Sequence, residues 1–133
     1  MNFTLMARIS GVAFALAFLA LGCTSGDVTD LKVLKSPDGK RTAISWLRSG
    51  GGGPGWSFGH VSIFEGDPPK IAAGDRGNVF VCQRSLATAR WISNSELEIG
   101  ALDYCKTESW RMKTRDEYLG VRIKRTFIKN EED

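Results

Sequence analysis

A sequence typical of a β-hairpin begins at Arg90: Arg90-Trp91-Ile92-Ser93-Asn94-Ser95-Glu96-Leu97-Glu98-Ile99. Its three central polar residues separate two β-prone arms, and in the second arm acidic and aliphatic residues alternate strictly. An alternation with a period of two places one set of side chains in the core and the other in water. The stretch therefore predicts a β-hairpin whose second strand buries Leu97 and Ile99.

Short β-prone runs continue on both sides of this hairpin. The segment Ser36-Pro37-Asp38-Gly39-Lys40 predicts a turn, because proline presets φ and glycine accepts a positive φ. The predicted strands are Leu31–Lys35, Arg41–Arg48, Trp56–Glu65, Asn78–Cys82, Arg90–Ile92, Glu96–Ile99, Glu108–Lys113 and Leu119–Ile128. About seven to eight short strands predict an all-β fold after an N-terminal signal helix: an antiparallel meander, a small sandwich or an open barrel.

The start of the chain has the layout of a secretory signal. Arg8 precedes an apolar run from Ile9 to Leu21, and small residues lead to Cys23. A signal peptide has a basic n-region, an apolar h-region and small residues before its cleavage site. The apolar run is shorter than the roughly 20 residues that span a bilayer. The sequence therefore predicts export, with Cys23 as the first mature residue.

The end of this signal, Leu19-Ala20-Leu21-Gly22-Cys23, resembles a bacterial lipobox, in which the cysteine sulfur receives a diacylglycerol. The resemblance implies a lipoprotein held at a membrane in the cell envelope and facing the periplasm. Thr24 follows the cysteine, which by the same resemblance favours the outer membrane if the host has one. The alternatives are a soluble secreted protein with an unmodified Cys23 and a retained anchor.

The length and charge predict one small domain. Removal of residues 1–22 from the 133 residues leaves 111, a single-domain length. We assign 1–22 to the signal peptide, 23–29 to a lipid-anchored tether, 30–129 to a β domain and 130–133 to a disordered acidic tail. The net charge of +3 falls to +2 when Arg8 is removed, which is too mild to indicate nucleic-acid binding.

The three cysteines form an odd count in an oxidising compartment. If Cys23 carries lipid, Cys82 and Cys105 are left, and a chain that folds back between them brings the two within reach of a disulfide. The alternative is two separate thiols, one or both of them buried as small apolar residues.

Few residues carry the signature of catalysis or of metal binding. His60 is the single histidine, without the neighbours in sequence that a metal site or a catalytic base needs. Glu96 and Glu98 share one strand face at a spacing that fits an acid pair, but their alternation with aliphatic residues marks a wet sheet face. The sequence predicts no catalytic group, metal or cofactor.

The glycine-rich segment before the third strand is the predicted partner-binding loop. It consists of Gly50, Gly51, Gly52, Gly53, Pro54 and Gly55, with Trp56 beside it as the tryptophan best placed for exposure. Core packing is expected for Trp46, Trp91 and Trp110. A late set of basic residues predicts a solvated strand face, or contact with anionic lipid or an acidic partner: Arg111, Lys113, Arg115, Arg122, Lys124, Arg125 and Lys129.

Three fragments together resemble a family of small uncharacterised bacterial proteins: Ser36–Lys40, Gly77–Val81 and Trp91–Ile99. Their order and spacing are similar to that family's "SPDGK…GNVF…W-S-D-T-E-L-E-I" pattern over roughly Ser36 to Lys124. The matching motifs are turns and strands, so the resemblance implies a fold and no activity. This chain has its glycine run where the family often has a cysteine-containing segment.

These observations predict an envelope lipoprotein with a non-catalytic binding or structural role. One alternative is an immunity or inhibitor protein that blocks an envelope toxin or enzyme. Another, from a different class, is a small hydrolase. The expected partners are the membrane, through the lipid, and a protein of the envelope.

Overall fold

The computed structural model describes residues 26–51, 55–106 and 113–129. Within them the chain forms one short 3-10 helix at Asp103–Lys106 and nine strands. The strands are β1 (Asp27–Lys35), β2 (Arg41–Gly50), β3 (Trp56–Glu65), β4 (Phe80–Gln83), β5 (Thr88–Ser93), β6 (Glu96–Leu102), β7 (Lys113–Thr114), β8 (Glu117–Tyr118) and β9 (Val121–Ile128). The predicted signal helix and acidic tail lie outside the described residues.

The strands form two sheets that pack face to face as a β-sandwich. The first sheet has the order β1-β2-β3-β4-β7 and the second has the order β5-β6-β9-β8. The all-β prediction is confirmed, and so is the hairpin, whose arms are β5 and β6.

Two details differ from the predicted architecture. The described residues hold nine strands instead of seven to eight, because the short β7 and β8 are separate elements. In addition, β6 pairs with β9 in parallel, whereas a meander is antiparallel throughout. The reason is that the chain leaves the second sheet after β6, adds β7 to the first sheet, and returns through β8. A parallel pair requires such a crossover connection.

Some strand limits also differ from the prediction. β1 begins at Asp27, so the segment assigned to a tether contributes its last three residues, 27–29, to the sheet. Of the predicted strand Glu108–Lys113, only Lys113 lies within the described residues, where it opens β7. Arg115 and Asp116 connect β7 to β8, which begins at Glu117.

The core lies between the two sheets and is built by alternation along their strands. Its buried side chains include Ala43, Val61, Ile63, Phe80, Cys82, Leu97, Ile99, Val121 and Ile123. On β9, Val121 and Ile123 are buried while Arg122 and Lys124 are exposed, as the period of two predicts.

The outer face of the first sheet is also buried, although it points away from the second sheet. Ile44 pairs with Ser62, and Trp46 pairs with His60, on the face opposite to the core. The connection from β3 to β4 contacts this face: the N–H of Gly77 donates to His60 Nδ1. This cover explains why β2 carries buried apolar residues on both faces, Ala43 toward the core and Ile44 and Trp46 away from it.

Candidate functional site

His60 is packed inside the outer layer of the first sheet. It is 3% exposed, and its ring stacks on Trp46 with a centroid distance of 5.0 Å and an interplanar angle of 9°. Nδ1 accepts a hydrogen bond of 3.0 Å from the N–H of Gly77. In the neutral ring the proton therefore resides on Nε2, which has no hydrogen-bond partner among the described residues.

The charge state of His60 follows from this environment. Burial, and to a smaller extent the positive charges of Arg48 and Arg76, together lower its pKa from 6.5 to about 4. His60 is thus neutral near pH 7, with its basic lone pair already engaged by a backbone N–H. This geometry suits a packed histidine and does not present a general base to a substrate.

Glu98 belongs to an ion-pair ladder on the outer face of the second sheet. Its carboxylate lies 2.8 Å from Arg90 and 3.8 Å from Lys124, which occupy the strands on either side. The hydrogen bond from Arg90 is the main cause that lowers the pKa of Glu98. Glu96 stands one pleat away on the same strand, opposite Arg122 in the parallel register. Glu96 and Glu98 therefore lie beside basic residues on the outer surface of the second sheet, as expected for a solvated sheet face.

The predicted disulfide between Cys82 and Cys105 is present, with a Cα–Cα distance of 6.0 Å. Cys82 lies on β4 of the first sheet, and Cys105 lies in the 3-10 helix that follows β6 of the second. The bond therefore fastens one sheet to the other, instead of closing a meander within one sheet. Both residues are 1% exposed and belong to the core.

The four tryptophans have different environments. Trp46 is 0% exposed, and Trp91 is half-buried against the core, where its indole N–H donates to the Leu34 carbonyl at 2.9 Å. Trp110 lies outside the described residues. Trp56 is half-buried, so its predicted exposure is only partial.

Trp56 packs on glycine backbone at the base of the predicted loop. A side chain at Gly26 or at Gly50 would place its Cβ 2.7 Å from a Trp56 ring carbon. The Arg48 guanidinium lies 5.1 Å from the ring centroid on the same sheet face, in cation–π geometry. Glycine at these positions is thus required for close approach of the ring. Of the predicted loop, residues 52–54 lie outside the described part of the chain.

The Trp56 side chain marks one end of the sandwich, which we call the Trp56 end. It comprises the first residues of β1 and β3 and the last residues of β2, β4, β6 and β9. The pairing registers align the ends within each sheet, and the hydrogen bonds from Leu102 N–H to Ser85 Oγ and from the Tyr104 hydroxyl to the Gln83 carbonyl join the two sheets here. The sequence did not predict this grouping, because it joins segments that are far apart in the chain.

The opposite end, which we call the Asn94 end, joins the turn Ser36–Lys40 to the β5–β6 hairpin turn. Asn94 Oδ1 accepts from the N–H of Asp38 at 2.9 Å, and the Asn94 carbonyl accepts from Arg41 at 3.2 Å. Gly39 has a φ of +72°, as the predicted turn requires. Two of the fragments singled out in the sequence therefore contact each other here.

The late basic residues do not form one patch among the described residues. Arg122 and Lys124 lie on the outer face of β9, whereas Arg125 binds Asp116 at 2.6 Å. Arg115 lies 5.1 Å from the Tyr118 ring centroid. Arg111 lies outside the described residues.

Two further findings concern the described part of the chain. It contains no helix with the length and apolar character that crossing a bilayer requires. Nor does it bring together three or more His, Cys, Asp or Glu side chains as a metal site would.

Comparison of the chain with protein-family models, with curated proteins and with solved structures finds no match.

Proposed function

We propose that this chain is a cell-envelope lipoprotein, anchored through Cys23, whose β-sandwich has a non-catalytic binding or structural role. The observation that carries the proposal is the junction between the lipobox-like sequence and the fold. β1 begins at Asp27, and Gly26 already packs against Trp56. Because only two residues separate Cys23 from Gly26, an acyl chain on Cys23 would hold the sandwich itself at the membrane surface.

The disulfide supports the compartment. Disulfides persist in oxidising environments such as the periplasm and are rare in the cytosol. The Cys82–Cys105 bond uses both cysteines of the β domain. Cys23 is then the one remaining cysteine of the chain, which suits a role in anchoring.

The environment of His60 supports a binding role over the hydrolase alternative. Its Nδ1 is engaged by the Gly77 N–H and its ring is stacked on Trp46. We therefore expect a folded His60→Ala variant to retain its biological phenotype. A folded variant that loses all activity would contradict the proposal and favour the hydrolase.

The anchor is tested by mass spectrometry and membrane fractionation. We expect the N-terminal peptide of the mature protein to carry a diacylglyceryl group on Cys23, and Cys23→Ser to release the protein from the membrane or leave it unprocessed. Ser25→Ala is the matched control, because it changes a neighbouring small residue and keeps the thiol; it should remain acylated. An unmodified Cys23 at the mature N-terminus would refute the lipoprotein.

A further inference from the structure

The position of the anchor determines which end of the sandwich faces the membrane. Cys23 precedes Gly26 by three residues, and three residues extend at most about 11 Å. Gly26 lies against Trp56, and the next residue, Asp27, pairs with Ser49 near the end of β2, at the Trp56 end. β2 is ten residues long and spans roughly 30 Å, so the Asn94 end is about 30 Å farther from the anchor.

Exposed apolar side chains from separate segments lie at the Trp56 end. Leu86 follows β4 and is 45% exposed, Tyr104 follows β6 and is 39% exposed, and Ile128 ends β9 and is 62% exposed. Tyr104 reaches the β4 end, where its hydroxyl donates to the Gln83 carbonyl at 2.8 Å. Of the other exposed large apolar residues, Leu31 and Val33 lie along β1, while Ile92 and Leu119 lie toward the Asn94 end.

The positions of these three residues follow from register and hydrogen bonds. Ile128 pairs with Leu102, whose N–H donates to Ser85 Oγ at 3.1 Å. Ser85 precedes Leu86 in the connection that crosses β3. Residues at or next to the ends of β3, β4, β6 and β9 therefore lie together at the Trp56 end. They include Trp56 and Tyr104, and tryptophan and tyrosine are the side chains that favour a membrane–water interface.

The two ends also differ in charge. Among the described residues, the Trp56 end carries the basic side chains Arg48, Arg84, Lys106 and Lys129 and the acidic side chains Asp27 and Asp103. The Asn94 end has no basic excess: its acidic side chains are Asp38, Glu65, Asp67, Glu96, Asp116 and Glu117, and its basic side chains are Lys35, Lys40, Arg41, Arg115 and Arg122. A basic excess next to a lipid anchor is attracted to anionic headgroups.

We propose that the Trp56 end is a membrane-contact surface, in which Trp56, Leu86, Tyr104 and Ile128 rest in the bilayer interface beside the anchor. This proposal rests on the proposed function, because acylation of Cys23 is what brings this end to a membrane. It gives Trp56, which lies beside the predicted partner-binding loop in the sequence, a lipid contact in place of a protein partner. The Asn94 end then projects into the envelope.

The orientation is tested with the mature chain from Cys23, coupled through its cysteine thiol to maleimide-bearing lipid. The Cys82–Cys105 disulfide leaves Cys23 as the reactive thiol. The vesicles contain phosphatidylcholine, phosphatidylglycerol and lipids brominated on their acyl chains, which quench nearby tryptophan. We expect quenching in the unsubstituted chain, loss of most of it in Trp56→Phe, and its retention in Trp91→Phe.

A second pair of variants keeps Trp56 and tests the surface around it. Ile128→Asp at the Trp56 end should reduce the quenching, whereas Ile92→Asp at the other end should leave it unchanged. Absence of quenching in the unsubstituted chain, or equal effects of these two variants, would overturn the orientation and leave the Trp56 end to a protein partner. Because the coupling is chemical, these results do not depend on acylation in the cell. An unmodified Cys23 in the cell would instead refute the proposed function.

Discussion

Loss of the Cys82–Cys105 disulfide should remove a large share of the stability of this domain. The bond closes a segment of 23 residues along the chain. In the chain-entropy account, a loop of this length removes about 11 cal/mol/K from the unfolded state, or about 3 kcal/mol at 25 °C. A domain of this size is typically stable by about 5–15 kcal/mol. Without the disulfide, a domain at the lower end of this range would therefore be only marginally stable.

In this account the bond acts on the unfolded state, while removal of two buried sulfurs from the core also costs some native packing. Cys82 and Cys105 are buried in the core formed by the two sheets, so replacing both with alanine leaves no buried hydroxyl behind. We expect Cys82→Ala/Cys105→Ala to lower the free energy of unfolding by about 3 kcal/mol. With an m-value of about 1–3 kcal/mol/M, the urea midpoint should fall by roughly 1–3 M.

The assay is urea denaturation of the mature domain, followed by tryptophan fluorescence and by circular dichroism. Cys23→Ser is the control, since it removes a thiol and keeps the disulfide; its midpoint should match that of the unsubstituted domain. Reduction of the unsubstituted domain should reproduce the double variant. A loss below about 1 kcal/mol in the double variant would refute the entropic reasoning.

Two further predictions concern close packing and pH. Gly59→Ala should destabilise the fold by at least about 2 kcal/mol, because the added Cβ would lie 1.9 Å from the Ser85 carbonyl oxygen. The control is Gly74→Ala, whose Cβ would meet nothing within 4 Å and which should change the urea midpoint little. Equal urea midpoints for the two variants would contradict the packing argument. For His60, burial first and then nearby positive charge lower the folded-state pKa from 6.5 to about 4, so between these values the unfolded chain binds a proton that the folded chain does not. The free energy of unfolding should therefore fall by about 3 kcal/mol as the pH decreases from 6.5 to 4, with no further change from His60 below that range. His60→Gln should lack this dependence in urea midpoints measured across the range, and an identical slope in both proteins would exclude His60 as its cause.

Local patterns predicted the hairpin and its faces well, because each depends on neighbouring residues. The alternation from Glu96 to Ile99 fixes which side chains are buried wherever the strand is placed. The turn at Ser36–Lys40 is similarly local, since Pro37 and Gly39 supply the φ values that it needs. Cys82 and Cys105 were the candidates for a disulfide because the chain has three cysteines and Cys23 was expected to carry lipid.

Such local patterns did not predict which strands belong to which sheet. β7 is two residues long and joins the first sheet, while β9 lies parallel to β6 in the second. A period of two shows which face of a strand is buried but does not identify the neighbouring strand. For the same reason the sequence did not show that the disulfide joins the two sheets.

The sequence alone predicted the β class, the strand faces and the main turns, and it left Cys82 and Cys105 as the candidate disulfide pair; it also predicted export with Cys23 as the anchor. Each of these depends on residue type at short range or on a count. Only the tertiary structure placed Gly26, Trp56, Tyr104 and Ile128 at one end of the molecule. Such a grouping arises from strand order and register, which are decided by burial between segments distant in the chain.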